Sequence, residues 1–224
     1  MAGLQIGTGE RLTIAVLHGD QTSGGDPNYL AWLGIEIAKR LPDATVHMLL
    51  RPGYADPWGR RSPGENFDRR DQYTMENATR IADSLRALDT GAPMIVVGHS
   101  GGAAQTALAL SLGELPIDEA ILVGCPCDLA LWQAANPSWP DDMFTRSTSA
   151  IAVIPDTAAR VSVIVGENDA VTPAEQSRSY VNHLKEHGVD ARLIETPGGD
   201  HMGNRALSSA WLQSELDAAH RLVN

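Results

Sequence analysis

Cysteine is scarce in this chain: Cys125 and Cys127 are its only two, separated by a single proline. That spacing is too short for an ordinary disulfide, and no further cysteines complete a metal site, so both are expected to be buried rather than bridged. Basic residues are also in short supply, seventeen against twenty-eight acidic, which gives a net charge of -11. This balance favours solubility and excludes nucleic acid as a partner held through its phosphates. No uninterrupted apolar run is long enough to cross a bilayer. The amino-terminal MAGLQIGTGERL lacks the basic region and apolar core of a secretory leader. The expectation is a soluble cytoplasmic protein. Long low-complexity tracts and internal repeats are missing too, and 43% hydrophobic content suits one domain, residues 1–224, with a sizeable core.

What is present is organised around IVVGHSGGAAQTALAL, residues 95–110. An apolar β-branched run stops at Gly98, Ser100 follows, and Gly101 and Gly102 lead into an alanine-rich helical stretch. The spacing from Gly98 to Gly102 fits G-x-S-x-G, in which small residues let strand and helix close on a strained turn that exposes the serine. A dinucleotide fingerprint would need glycine where Ser100 stands, and a phosphate-binding loop would need a Gly-Lys-Ser/Thr ending. Neither is met. A hydroxyl at this turn also sits at a helix amino terminus, whose free N–H groups favour negative charge developing on an attacked carbonyl.

Elements alternate along the rest of the chain. Residues 11–18 read as a buried parallel strand, with room before them for one short strand at most. Leu30, Leu33, Ile37 and Leu41 mark a helical face stopped by Pro42, and residues 45–50 form the next strand. A long segment rich in Pro, Gly and Arg, residues 51–71, has no period and suggests a functional loop. Ala78, Ile81, Ala82, Leu85 and Leu88 give a second buried helical stripe, and Ala103, Ala104, Ala107 and Leu108 a close-packing one. Strands follow at residues 120–123, 161–165 and 191–195. Between them Thr172, Pro173 and Glu175 have the pattern of an N-cap, first helical residue and capping box. A final helix is expected to carry Leu207, Trp211, Leu216 and Leu222 inward. The alternation implies an α/β fold, a mostly parallel sheet of about six strands with helices on both faces.

In such a sheet ligands gather beyond the carboxyl ends of the strands. The residues following those ends are His18-Gly19-Asp20, the turn at Ser100, Gly166-Glu167-Asn168-Asp169, and Gly198-Gly199-Asp200-His201. Serine, carboxylate and histidine occur in that order. On these four stretches, HGD, GHSGG, GENDAVTP and GGDHMG, the chain resembles the α/β-hydrolase superfamily over nearly its whole length. It is most similar to compact uncapped esterases and to the catalytic domains of prolyl-oligopeptidase and dienelactone-hydrolase types. The resemblance implies Ser100 as nucleophile, His201 as general base and Asp169 as the acid that orients it. Backbone N–H groups of Asp20 and Gly101 would form the oxyanion hole. No cofactor, no metal and no large cap are implied.

Glu167, Asp200 and Asp128 are rivals for the acid. His99 is expected to pack rather than to act as base, His18 to order its loop through backbone hydrogen bonds, and the Asp20 side chain to point away from the hole. For substrate, Tyr54, Trp58, Arg60 and Arg61 are candidates for an acyl pocket, unless the arginines pair with Glu65, Asp68 and Asp71. A carboxylesterase acting on a small-molecule ester is the favoured function. A thioesterase or peptidase on the same triad, or a weakly catalytic binding protein, stay open, and oligomeric state is not legible.

Overall fold

The computed structural model describes residues 1–70, 72–140, 144–201 and 205–223; in the last helix the side chains at 205–208, 212 and 215 are not described. Asp71 and the Leu207 side chain, both named above, lie outside that set.

Among the described residues seven strands form one sheet: β1 (Gly3–Ile6), β2 (Leu12–Leu17), β3 (Ala44–Leu49), β4 (Met94–His99), β5 (Glu119–Val123), β6 (Arg160–Gly166) and β7 (Ala191–Thr196). Their spatial order is β1-β3-β2-β4-β5-β6-β7, with β1 antiparallel to β3 and every other pairing parallel. The expected parallel sheet is therefore present, one edge strand larger than the six anticipated. The short strand allowed for before residue 11 supplies the difference.

Among the described residues six α-helices connect and cover the strands: α1 (Ala31–Arg40), α2 (Met75–Ala87), α3 (Gly101–Ala109), α4 (Leu129–Ala135), α5 (Ala174–Glu186) and α6 (Arg205–Val223). The pleat of β2 shows how two cores arise, because successive side chains leave opposite faces. Ile14 and Val16 join Leu33 and Ile37 of α1 and Trp211 of α6 on one face. Ala15 and Leu17 join Ile81 and Leu85 of α2, Ala104 and Leu108 of α3, and Val181 and Leu184 of α5 on the other.

The chain runs from β2 out to β3, then crosses back over β2 to β4 and continues the opposite way. Strand order thus reverses beside β2 and β4, and a crevice opens past their carboxyl ends, where the two loops leave in opposite directions. Among the described residues no helix is long and apolar enough to cross a membrane.

The cysteines correct one expectation. Cys125 and Cys127 are both fully buried, as anticipated, but they are joined in a disulfide, with Cα atoms 5.1 Å apart. That separation lies in the ordinary range for a bridge. The tight turn leaving β5, with Gly124 at φ 55°, brings together residues that the linear spacing had set aside.

Candidate active site

The turn at Ser100 is a single residue long, since β4 ends at His99 and α3 begins at Gly101. Ser100 has φ 52° and ψ -121°, a strained conformation for a non-glycine residue that persists only where the surroundings fix it. They do so by close packing. A Cβ on Gly102 would lie 2.4 Å from the Leu17 carbonyl oxygen.

The Ser100 Oγ lies 3.0 Å from Nε2 of His201, and Nδ1 of the same ring lies 2.9 Å from Asp169 Oδ2. Asp169 stands in the loop after β6 and His201 in the loop after β7, so three strand ends supply the three groups. The Asp169 side chain is fully enclosed. Its Oδ1 accepts the N–H groups of Val171 at 2.9 Å and Thr172 at 2.7 Å, and its Oδ2 accepts the Thr172 hydroxyl at 2.7 Å. Burial would raise the pKa of this carboxyl, but the hydrogen bonds from His201 and Thr172 outweigh it and hold the pKa below the ordinary value. An ionised Asp169 fixes the His201 proton on Nδ1 and leaves Nε2 free to accept from serine.

Thr172 is thus not the N-cap that its sequence pattern suggested. The helix begins one residue later, Pro173 occupies the cap position, and the threonine hydroxyl is taken up by Asp169. The rival carboxylates are engaged elsewhere. Asp128 caps α4 by accepting from Ala130 and Leu131, and Glu167 accepts from Gly198.

His99, next to Ser100, is buried and stacks on Trp211 with ring centres 5.5 Å apart. It also links two loops. Gly19 N–H donates to the Tyr29 hydroxyl at 2.8 Å, that hydroxyl donates to His99 Nδ1, and His99 Nε2–H donates to the His201 carbonyl at 2.9 Å. The neutral imidazole protonated on Nε2 completes this chain with one donor for each acceptor. Burial and the neighbouring His201 push the His99 pKa down to about 4. His18 bonds the Gly19 carbonyl through Nδ1 at 2.7 Å and accepts the Arg51 N–H on Nε2 at 3.1 Å, which is the loop-ordering role expected of it.

Asp20 is held by a buried network. One carboxylate oxygen accepts from the Arg51 guanidinium and from Gln72 Nε2 at 3.0 Å, and the other from the Tyr73 hydroxyl. Arg51 is completely buried, with its guanidinium carbon 5.2 Å from the Tyr54 ring centre. Burial alone would lower the Arg51 pKa; the Asp20 carboxylate more than reverses that, holding the guanidinium charged. The network lies against the first residue of α3, since a Cβ on Gly101 would come 2.3 Å from Asp20 Oδ1. The backbone N–H groups of Asp20 and Gly101 have no partner among the described residues.

A cavity of about 260 Å³ opens over Ser100 and His201. Loop residues Gly19 to Ser23 line one side, and Tyr73, Pro126, Trp132, Trp139, Phe144 and Val171 line much of the rest. None of the four residues proposed for the acyl pocket touches it. Tyr54 is wholly buried, with its hydroxyl bonded to Gln72 and Arg51. Trp58 is 68% exposed and lies under Arg60, which pairs with Asp56 rather than with Glu65 or Asp68. Arg61 is exposed, its backbone bridged to Ala55. The reason is geometric: the loop after β3 folds back on itself through the Ala55–Arg61 bridge, so these side chains are turned from the crevice. The aromatic wall was missed, although it carried a signal. Of five Trp, four Tyr and two Phe in the chain, the cavity takes two, two and one. Among the described residues no cluster of His, Cys, Asp or Glu could hold a metal ion.

A family model described as "Alpha/beta hydrolase family" matches residues 14–151, and the chain belongs to that family. No curated protein matches the chain in sequence. Among solved structures the chain is similar to esterase PE8, with TM-score 0.69 and 20% identity over 99% of this chain and 98% of that one. It is similar also to the monoacylglycerol lipase of Paleococcus ferrophilus, with TM-score 0.65 and 19% identity over 96% of both chains. A thermophilic esterase from Thermogutta terrifontis aligns with TM-score 0.61 and 14% identity, covering 100% of this chain and 94% of that one. At these identities the likeness is one of fold.

Proposed function

We propose that this chain is a serine hydrolase that cleaves carboxylic esters through an acyl-enzyme intermediate, as one domain without a large cap. Membership of the alpha/beta hydrolase family supports a hydrolase. The reading rests on one observation, the unbroken line of hydrogen-bond contacts from Ser100 Oγ through the His201 ring to Asp169. His201 takes the Ser100 proton as the hydroxyl attacks the ester carbonyl, and the Asp169 carboxylate stabilises the imidazolium that forms. Negative charge on the carbonyl oxygen is met by the N–H groups of Asp20 and Gly101, the latter at the start of α3. The tetrahedral intermediate collapses, His201 passes its proton to the departing alcohol, and Ser100 is left acylated. Water then attacks the acyl group with His201 again as base.

An ester is favoured over an acyl-CoA or a peptide by the lining of the cavity. Among the described residues it contains no lysine or arginine to hold phosphates or a carboxylate terminus, and the acidic residue among them, Asp20, is already engaged. The test is a side-by-side assay of p-nitrophenyl acetate, acetyl-CoA and aminoacyl p-nitroanilides with purified protein. Turnover concentrated in the ester is the expected result. Failure to split any activated ester, or preference for the thioester or amide, would overturn the reading.

A further inference from the structure

Resting on that reading, we propose that the ester's defining feature is an uncharged aromatic ring close to the reacting carbonyl, received by Trp132, Trp139, Phe144 and Tyr73. Three observations carry this. The four side chains come from two stretches of chain, Tyr73 just before α2 and the other three between Trp132 and Phe144, yet form one contiguous set of rings. Trp132 meets Trp139 edge-on at 5.8 Å and Phe144 edge-on at 5.2 Å, while Phe144 stacks on Tyr73 at 5.9 Å. Such a corner offers an incoming ring both stacked and edge-to-face partners, geometries that a saturated ring or alkyl chain cannot exploit to the same degree.

Size is the second observation. A volume of about 260 Å³ lies just below the usual range for small-molecule pockets, enough for one ring system beside the ester atoms and too little for a long acyl chain. Charge is the third. Among the described lining residues the one carboxylate, Asp20, is already tied up by hydrogen bonds, so none of these residues offers a free counter-ion to a ligand carboxylate or ammonium.

The decisive assay compares esters that differ only in ring character. Benzyl acetate against cyclohexylmethyl acetate places the ring on the alcohol side; p-nitrophenyl phenylacetate against p-nitrophenyl cyclohexylacetate places it on the acyl side. In at least one pair kcat/KM is expected to favour the aromatic member about tenfold, the worth of one or two ring-on-ring contacts. Trp132→Leu should reduce that ratio to about threefold or less, and Phe144→Leu serves the same purpose if the tryptophan variant does not fold. A binding arm separates this proposal from the hydrolase reading. Ser100→Ala protein titrated with benzyl acetate should show a saturable change in tryptophan fluorescence, with cyclohexylmethyl acetate about tenfold weaker. Discrimination in binding without any turnover by the native protein would sustain the pocket and sink the hydrolase reading instead. Turnover with ratios near one in both pairs, or with long alkanoyl esters preferred, would overturn the aromatic assignment.

Discussion

Asp20 and Asp169 flank the same serine, and both are withdrawn from solvent, with side chains 20% and 0% exposed. Their partners differ in kind. Asp20 is bound by a guanidinium that keeps its charge, by an amide and by a phenol, none of which changes protonation near neutral pH. Asp169 is bound by two backbone N–H groups, a threonine hydroxyl and an imidazole whose other nitrogen faces the Ser100 hydroxyl. On the proposed reading, the same carboxylate is therefore fixed scaffolding on one side of Ser100 and the anchor of a proton relay on the other. The partner, rather than the aspartate, sets the role.

Removing the relay should give the largest effect. Ser100→Ala or His201→Ala is expected to lower kcat by about six orders of magnitude, and Asp169→Asn by about four, measured on p-nitrophenyl acetate with the fold checked by circular dichroism. Losses within tenfold at Asp169 would erase the distinction between the two carboxylates. On the other side, Arg51→Met strands the Asp20 carboxylate and is expected to cost about 3–5 kcal/mol of unfolding free energy in urea titrations. An unchanged stability would mean that Asp20 and Arg51 are not a coupled pair. A smaller effect is expected from His99. With its pKa near 4 in the fold and about 6.5 unfolded, the unfolded chain binds the extra proton between those values. Stability from this group is therefore complete above pH 6.5 and is lost as pH falls toward 4, by about 3 kcal/mol. His99→Gln should flatten that part of the stability profile, and a variant with the native pH dependence would remove His99 from the account of acid sensitivity.

Much of this arrangement was legible in the sequence because strand ends announce themselves. Gly19, Gly98 and Gly166 each close an apolar run, and the polar residues following them fall on one edge once the strands are parallel. The local role of Thr172 was not legible, since Thr-Pro-x-Glu reads equally well as a cap, and only the fold puts Asp169 within reach of the hydroxyl. The cavity wall was hidden for a related reason. Trp132 stands on the short helix α4, and Trp139 and Phe144 follow it far in sequence from Ser100; weak helical character broken at Pro137 and Pro140 carries no register from which direction can be read. The arginine-rich segment misled in the opposite sense: charge and aromatics in a long loop suggested ligand contact, whereas Arg51 serves the interior and Arg60 its own turn.

The relay itself is tested most directly by a fluorophosphonate. The purified protein is expected to carry the label on Ser100, located by mass spectrometry of the peptide that contains it, to lose labelling in Ser100→Ala, and to react far more slowly in His201→Ala. A native protein that stays unlabelled, or takes the label at another residue, would contradict the assignment of Ser100 as the activated nucleophile.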